Sequence, residues 1–129
     1  MIVEWADTMA GVMGIKIISN EGGRVEASMP VTSRTCQVTG VLHGGASLAL
    51  AETVAGCGSV KLISDEEFPY GVSVTGNHLR TAPLGSEVRA VGTLLHKGKT
   101  MHTWNVDILD EEGNIISTER VVNKIGKKH

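Results

Sequence analysis

The chain has 129 residues, of which 41% are hydrophobic and 20% charged, with a formal net charge of −2. That length can bury a core without staples, so one domain over residues 1–129 is expected. The slight acidity, with two Trp, one Tyr and one Phe, argues against a nucleic-acid partner, which would need a basic face and stacking rings.

The first fourteen residues carry Glu4 and Asp7 and no basic n-region, so a signal peptide is not expected. No apolar run approaches the roughly 18 residues a membrane span needs, and no membrane partner is expected. Cys36 and Cys57 stand apart with no C-x-x-C pair, which points to a reduced, cytoplasmic protein without a metal framework. A short helix is predicted over residues 5–14, ending at a glycine. Residues 14–19 and 23–31 read as strands joined by a Ser-Asn-Glu-Gly-Gly turn, and Pro30 ends the second.

A loop then leads into Val41-Leu42-His43-Gly44-Gly45-Ala46-Ser47-Leu48-Ala49-Leu50-Ala51-Glu52-Thr53. Helix is predicted from Gly44 to Ile63, with apolar residues on every side, the pattern of a buried helix. Beyond Pro69 the period changes to two. Val72, Val74, Gly76 and His78 share one face, and Trp104, Val106 and Ile108 alternate with Thr103, Asn105 and Asp107. Strands over 71–80, 86–98, 100–110 and 114–122, with turns between them, predict a four-strand meander. The expected fold is α+β: one antiparallel sheet of five to six strands wrapped around one long helix, since nothing else can cover that helix.

The turn His96-Lys97-Gly98-Lys99-Thr100 lacks a phosphate-binding loop's first glycine, because position 93 is Thr93, and a strand follows it rather than a helix. It is a solvated turn, or one that meets phosphate by charge alone. Cys57 reads as a small buried hydrophobe, and Cys36 has no activating neighbour in sequence. His96 and His102 flank the turn and carry no assigned chemistry.

Glu52 stands out. At three and four residues from it lie Leu48, Ala49, Ala55 and Gly56, so no helical neighbour pairs with it. An acid there is costly unless it is hydrogen-bonded, protonated, at an interface or at a cavity. His43-Gly44-Gly45 leaves bare N–H groups at a helix start, donors suited to a carbonyl oxygen gaining charge. A plain glycine turn with His43 as a cap is the simpler alternative. Gly44 and Glu52 lie eight residues apart, about 12 Å along the axis and turned by roughly 80°. One chain does not easily bring both to one carbonyl. A two-fold dimer, with Gly44 of one chain facing Glu52 of the other, would. His78 is either a satisfied core histidine or a residue lining the same cleft.

The helix entry Gly40-Val41-Leu42-His43-Gly44-Gly45 with Glu52, preceded by Met29-Pro30-Val31-Thr32-Ser33-Arg34-Thr35-Cys36-Gln37 and followed by Gly76-Asn77-His78-Leu79-Arg80-Thr81-Ala82, resembles the hotdog-fold acyl-CoA thioesterases. The likeness covers residues 9–122 and is greatest to the helix-glutamate branch that acts on aromatic acyl-CoAs. That branch includes 4-hydroxybenzoyl-CoA, 1,4-dihydroxy-2-naphthoyl-CoA and enterobactin proofreading thioesterases, and the phenylacetic acid degradation type. The resemblance implies a single hotdog domain, an acyl-CoA substrate, no cofactor and no metal. It also implies a site across a homodimer interface, and a homotetramer.

Carried over by position, Glu52 matches the nucleophile or general base, and Gly44 the N–H that polarises the carbonyl. Gln37 matches a glutamine near the thioester or the water, His43 a histidine supporting the thioester end, and His78 a histidine near the acyl group. Gly56 stands where relatives have Ser or Thr, with Thr53 beside Glu52 instead. Arg80, Lys97 and Lys99 are the candidates for the CoA phosphates. The alternatives are a hotdog enoyl-CoA hydratase or dehydratase, and a non-catalytic acyl-CoA-binding module.

Overall fold

The computed structural model describes residues 2–128; Met1 and His129, the ends of the expected 1–129 domain, lie outside the described residues. A 3₁₀ turn at Trp5–Asp7 leads into a short helix, α1 (Met9–Val12). The Thr8 side chain caps it by accepting from the Gly11 N–H, and Gly14, at φ 82°, turns the chain out of it. The strands are β1 (Lys16–Asn20), β2 (Arg24–Pro30), β3 (Glu67–His78), β4 (Glu87–Lys97), β5 (Met101–Leu109) and β6 (Ile115–Lys127). The long helix, α2, spans Gly44–Val60.

All six strands form one antiparallel sheet in the order β1-β2-β4-β5-β6-β3. The expected α+β architecture of one sheet around one helix is therefore present. The expected four-strand meander is not. Only β4, β5 and β6 run as a meander, while β3 crosses to the far edge and pairs with β6 from Glu67↔Lys127 to His78↔Ser117. The turn at Pro83-Leu84-Gly85 belongs to the link between β3 and β4, which docks on the loop before α2. There the Leu42 N–H donates to the Ala82 carbonyl at 2.8 Å, and the Leu84 N–H to the Gly40 carbonyl at 2.9 Å. Alternation of side chains marks a strand but carries no record of its partner, so β3 and β4 are neighbours in the chain but not in the sheet. β3 also starts before Pro69, which an edge strand tolerates because its missing N–H costs no ladder bond there.

The sheet-facing stripe of α2 is Ala46, Ser47, Leu50, Ala51, Val54, Ala55, Gly58 and Ser59, all buried. It packs on alternating inward residues of the strands, including Val25, Ala27, Val88, Ala90, Trp104, Val106 and Val121. Trp104 is fully buried because Gly58 leaves the helix surface open beneath its ring. Its indole N–H donates to Ser59 Oγ at 2.9 Å, so burial leaves that donor satisfied.

The opposite stripe of α2 departs from the expected burial on all sides. Glu52 and Val60 are exposed, and Leu48, Ala49, Thr53 and Gly56 are half-buried. This apolar stripe lies beside β3, whose outer edge pairs with no other strand among the described residues. Val72 on that strand is 55% exposed, so the side of the protomer around Glu52 is both apolar and uncovered.

Candidate functional site

The loop before α2 is tied down by its own backbone. The His43 N–H donates to the Thr35 carbonyl at 2.8 Å, and the Gln37 N–H to the Val41 carbonyl at 2.9 Å. Buried Thr35 adds a hydroxyl bond to the Pro30 carbonyl at 3.1 Å. His43 is the N-cap residue of α2: its Nδ1 accepts from the Gly45 N–H at 2.8 Å. That bond leaves Nδ1 bare, so a neutral His43 carries its proton on Nε2.

Gly44 opens the helix against His78, which arrives from the end of β3. A Cβ at position 44 would stand 2.6 Å from His78 Nε2 and 2.8 Å from its Cδ2. The close approach of ring and backbone requires glycine here. Gln37, Gly44, Ser47, His78, Arg80 and Thr81 are among the residues lining a cleft of about 210 Å³ at the N-terminal end of α2. Four of the sequence candidates, Gln37, Gly44, His78 and Arg80, thus share one cleft. Gln37 is exposed, and its amide nitrogen donates to Thr39 Oγ1 at 2.8 Å. His43 faces a neighbouring depression with Arg34, Cys36 and Gly45.

Glu52 lies further along α2, on its uncovered stripe. Its carboxylate rests on β3 over Gly71, where any Cβ would run into it. A bulge between Gly71 and Ser73 shifts the β3–β6 register at that point. Gly56, one turn on, has open space where a Cβ would project. The Thr53 hydroxyl donates to the Ala49 carbonyl of its own helix at 2.7 Å. Within the protomer, Thr53 therefore does not stand in for a hydroxyl at position 56.

Lys97 and Lys99 lie at the opposite end of the molecule. They line a depression of about 410 Å³ with Leu62, Ile63, Glu67 and His102. That lies past the C-terminus of α2, roughly 24 Å along the axis from Gly44. The protomer does not bring these lysines to the Gly44 cleft. His102 is buried there with Nδ1 2.8 Å from Ser59 Oγ. Burial first, and Lys97 second, hold its ring below the ordinary histidine value. Burial likewise pushes the Cys57 thiol up, although the residue is half-buried and not the fully buried hydrophobe expected at that position.

A larger depression, about 470 Å³, lies between the start of β4 and the β5–β6 turn. Asp110 in that turn is held below the usual carboxylate range first by the Asn114 N–H, so its charge serves the turn. Shape alone would rank this place first. The convergence of a bare helix start, an imidazole, an amide and a guanidinium picks the smaller cleft instead.

Two polar residues behind that cleft escaped the sequence reading. Ser117 and Glu119 are buried on the inner face of β6, and Ser117 Oγ is 2.8 Å from His78 Nδ1. The available signal was their parity: alternation puts both on the same face as Val121, an inward position where an acid is costly.

Comparison with known proteins agrees on one family. The model of the thioesterase superfamily matches residues 39–117. The 1,4-dihydroxy-2-naphthoyl-CoA hydrolase of Escherichia coli is 36% identical over 117 residues, covering 91% of this chain and 85% of that protein. The enzyme of the same name from Listeria monocytogenes is 34% identical, covering 90% of this chain and 94% of its own. A crystal structure of a thioesterase from Haemophilus influenzae superposes with a TM-score of 0.90 at 31% identity, covering 95% of this chain and 85% of that one.

Proposed function

The chain belongs to the thioesterase superfamily, and from that premise we propose that it hydrolyses acyl-CoA thioesters, aromatic ones foremost, to the free acid and CoA. The observation that carries this reading is the packing of His78 on Gly44 in a cleft shared with Gln37 and Arg80. The first N–H groups of α2 and the helix dipole favour a carbonyl oxygen that gains negative charge. Glu52 supplies the attack, either as nucleophile or as base for water, and Gln37 orients the thioester or that water. His43 steadies the thioester end through its cap, His78 contacts the acyl side, and Arg80 meets a CoA phosphate. Attack and polarisation both come from this chain, so the reaction as proposed invokes no cofactor. The aromatic preference rests on the relatives that act on 1,4-dihydroxy-2-naphthoyl-CoA.

A single protomer is an incomplete site in this proposal. The cleft of about 210 Å³ is smaller than the roughly 300–1,000 Å³ typical of small-molecule pockets. Glu52 and Gly44 also remain about 12 Å apart along α2. A second copy docked on the free edge of β3 and the exposed α2 stripe would close both gaps, setting the partner's Glu52 opposite Gly44. Two such dimers would make the tetramer. Lys97 and Lys99 would then meet CoA only if the assembly carries its arm to the far end of α2.

Thiol release from a panel of aryl- and alkyl-CoA thioesters is the test. The unmodified protein should turn over aryl-CoA best. Glu52→Gln should lower kcat by orders of magnitude, with the fold and KM little changed. Binding without free CoA would make the chain a binding module, and water addition to an enoyl-CoA would make it a hydratase. Near-normal turnover by Glu52→Gln would remove Glu52 from the mechanism.

A further inference from the structure

Behind the cleft, β6 holds a buried acid for which the proposed hydrolysis has no use. The side chain of Glu119 is fully shielded from solvent. Its Oε1 has no hydrogen-bond partner among the described residues, and its Oε2 accepts from Ser117 Oγ. Ser117 Oγ is 2.8 Å from His78 Nδ1, and Glu119 Oε2 is 4.0 Å from the same nitrogen. The other edge of the imidazole, Nε2, lies against Gly44. Carboxyl, hydroxyl and ring therefore form a file from the core to the cleft. Gly76 makes room for it: a Cβ there would stand 2.6 Å from Glu119 Oε2 and 2.9 Å from its Cγ.

A serine hydroxyl has one hydrogen, and the Asn77 carbonyl, at 3.3 Å, is a longer contact than either Glu119 or His78, so Ser117 donates to one of those two. We propose that Glu119, acting through Ser117, is a positioning residue that sets which nitrogen of His78 carries the proton, and so whether Nε2 meets the Gly44 end of the cleft as donor or acceptor. This rests on the reading of that cleft as the thioester site. With the carboxyl protonated, Glu119 donates to Ser117, Ser117 donates to Nδ1, and the neutral ring presents Nε2–H beside Gly44. With the carboxyl ionised, Ser117 donates to Glu119, Nδ1–H donates to Ser117, and Nε2 presents a lone pair. Passing from the first form to the second releases one proton from Nε2 into the cleft. The Glu119 O–H and Nε2–H bonds break, Nδ1–H forms, and Ser117 gives up one proton and gains another, so the net change is one proton lost. The first form adds a second donor beside the Gly44 N–H.

Both forms are accessible near neutrality. Burial pushes the Glu119 carboxyl up to about 7; the Ser117 hydrogen bond pulls it partly back and the charge of Asp107 adds to the rise. His78 faces it from β3, Asp107 acts on it from β5, and α2 lays the apolar Leu48 near the same point. An unpaired Oε1 is also better borne by a neutral carboxyl than by a buried anion.

Nitrogen-15 NMR of the His78 ring, assigned by the loss of its signals in His78→Asn, reads the tautomer without any turnover. Above about pH 8, beyond the Glu119 titration, the unmodified protein should carry the ring proton on Nδ1. Glu119→Gln supplies an amide N–H that can donate to Ser117, as the protonated carboxyl does, so that Ser117 donates to Nδ1, and Ser117→Ala removes the acceptor, so both should move the proton toward Nε2. Ser117→Thr, which keeps the hydroxyl, should retain it on Nδ1. A ring proton on Nε2 in the unmodified protein at that pH, or on Nδ1 in both Glu119→Gln and Ser117→Ala, would overturn the proposal. With aryl-CoA, kcat should fall as pH rises through about 7, by no more than the roughly 10²–10³ that one oxyanion donor is worth. Glu119→Gln should flatten that fall. Tautomers that move as expected in a protein that releases no CoA would support the relay and overturn the hydrolase reading.

Discussion

Glu119 makes a prediction about stability that needs no substrate. Its carboxyl has an ordinary value of 4.5 and is pushed up to about 7 in the folded chain, burial being the largest cause. Between those two pH values the folded state holds a proton that the unfolded chain has released. The folded state binds more protons, so stability falls as pH rises through that window and levels off above it. At about 1.4 kcal/mol for each pH unit of difference, the loss is roughly 2–4 kcal/mol. That is a large share of the 5–15 kcal/mol that holds a typical domain together. Glu119→Gln is neutral throughout and escapes the loss. Urea unfolding of both proteins at one fixed protein concentration, from about pH 4.5 to 8, isolates the effect, because other titrations cancel in the difference. The variant should gain roughly 2–4 kcal/mol on the unmodified protein between the two ends of the series. Parallel pH curves for the two proteins would refute the reasoning and mean that Glu119 ionises inside the fold at little cost.

Gly44→Ala places a Cβ 2.6 Å from His78 Nε2, so it should displace the ring and lower kcat while leaving the helix folded; a crystal structure with the ring unmoved would contradict this. Gly56→Ala meets open space and should stabilise α2 by roughly 0.5–1 kcal/mol in thermal unfolding. Gly56→Ser should in addition raise kcat if the hydroxyl that the family resemblance implies at this position serves the reaction, and equal kcat for the Ser and Ala variants would deny it that role. Sedimentation velocity should report at least a dimer. Val72→Lys, on the exposed β3 edge, should shift it toward monomer and lower activity in step; a fully active monomer would end the shared-site proposal.

The sequence by itself determined the elements and the family. A run of small and apolar residues on every side of one helix, and period-two alternation around Trp104, are local patterns that follow from which residues tolerate burial. Glu52 and Gly44 were legible for the same reason, since an unpaired acid and paired glycines break those patterns. Tertiary structure alone decided the rest. It carried β3 past β4 to pair with β6, because pairing depends on how the sheet wraps α2 and not on chain order. It left the Glu52 stripe uncovered, although its composition looks like core on every side. It separated Lys97 and Lys99 from the cleft that holds Arg80. It also brought Ser117, 39 residues away in the chain, and Glu119 beyond it, behind His78. Whether an inward acid meets a ring, a hydroxyl or a void is set by what packs opposite, and that is a property of the assembled fold.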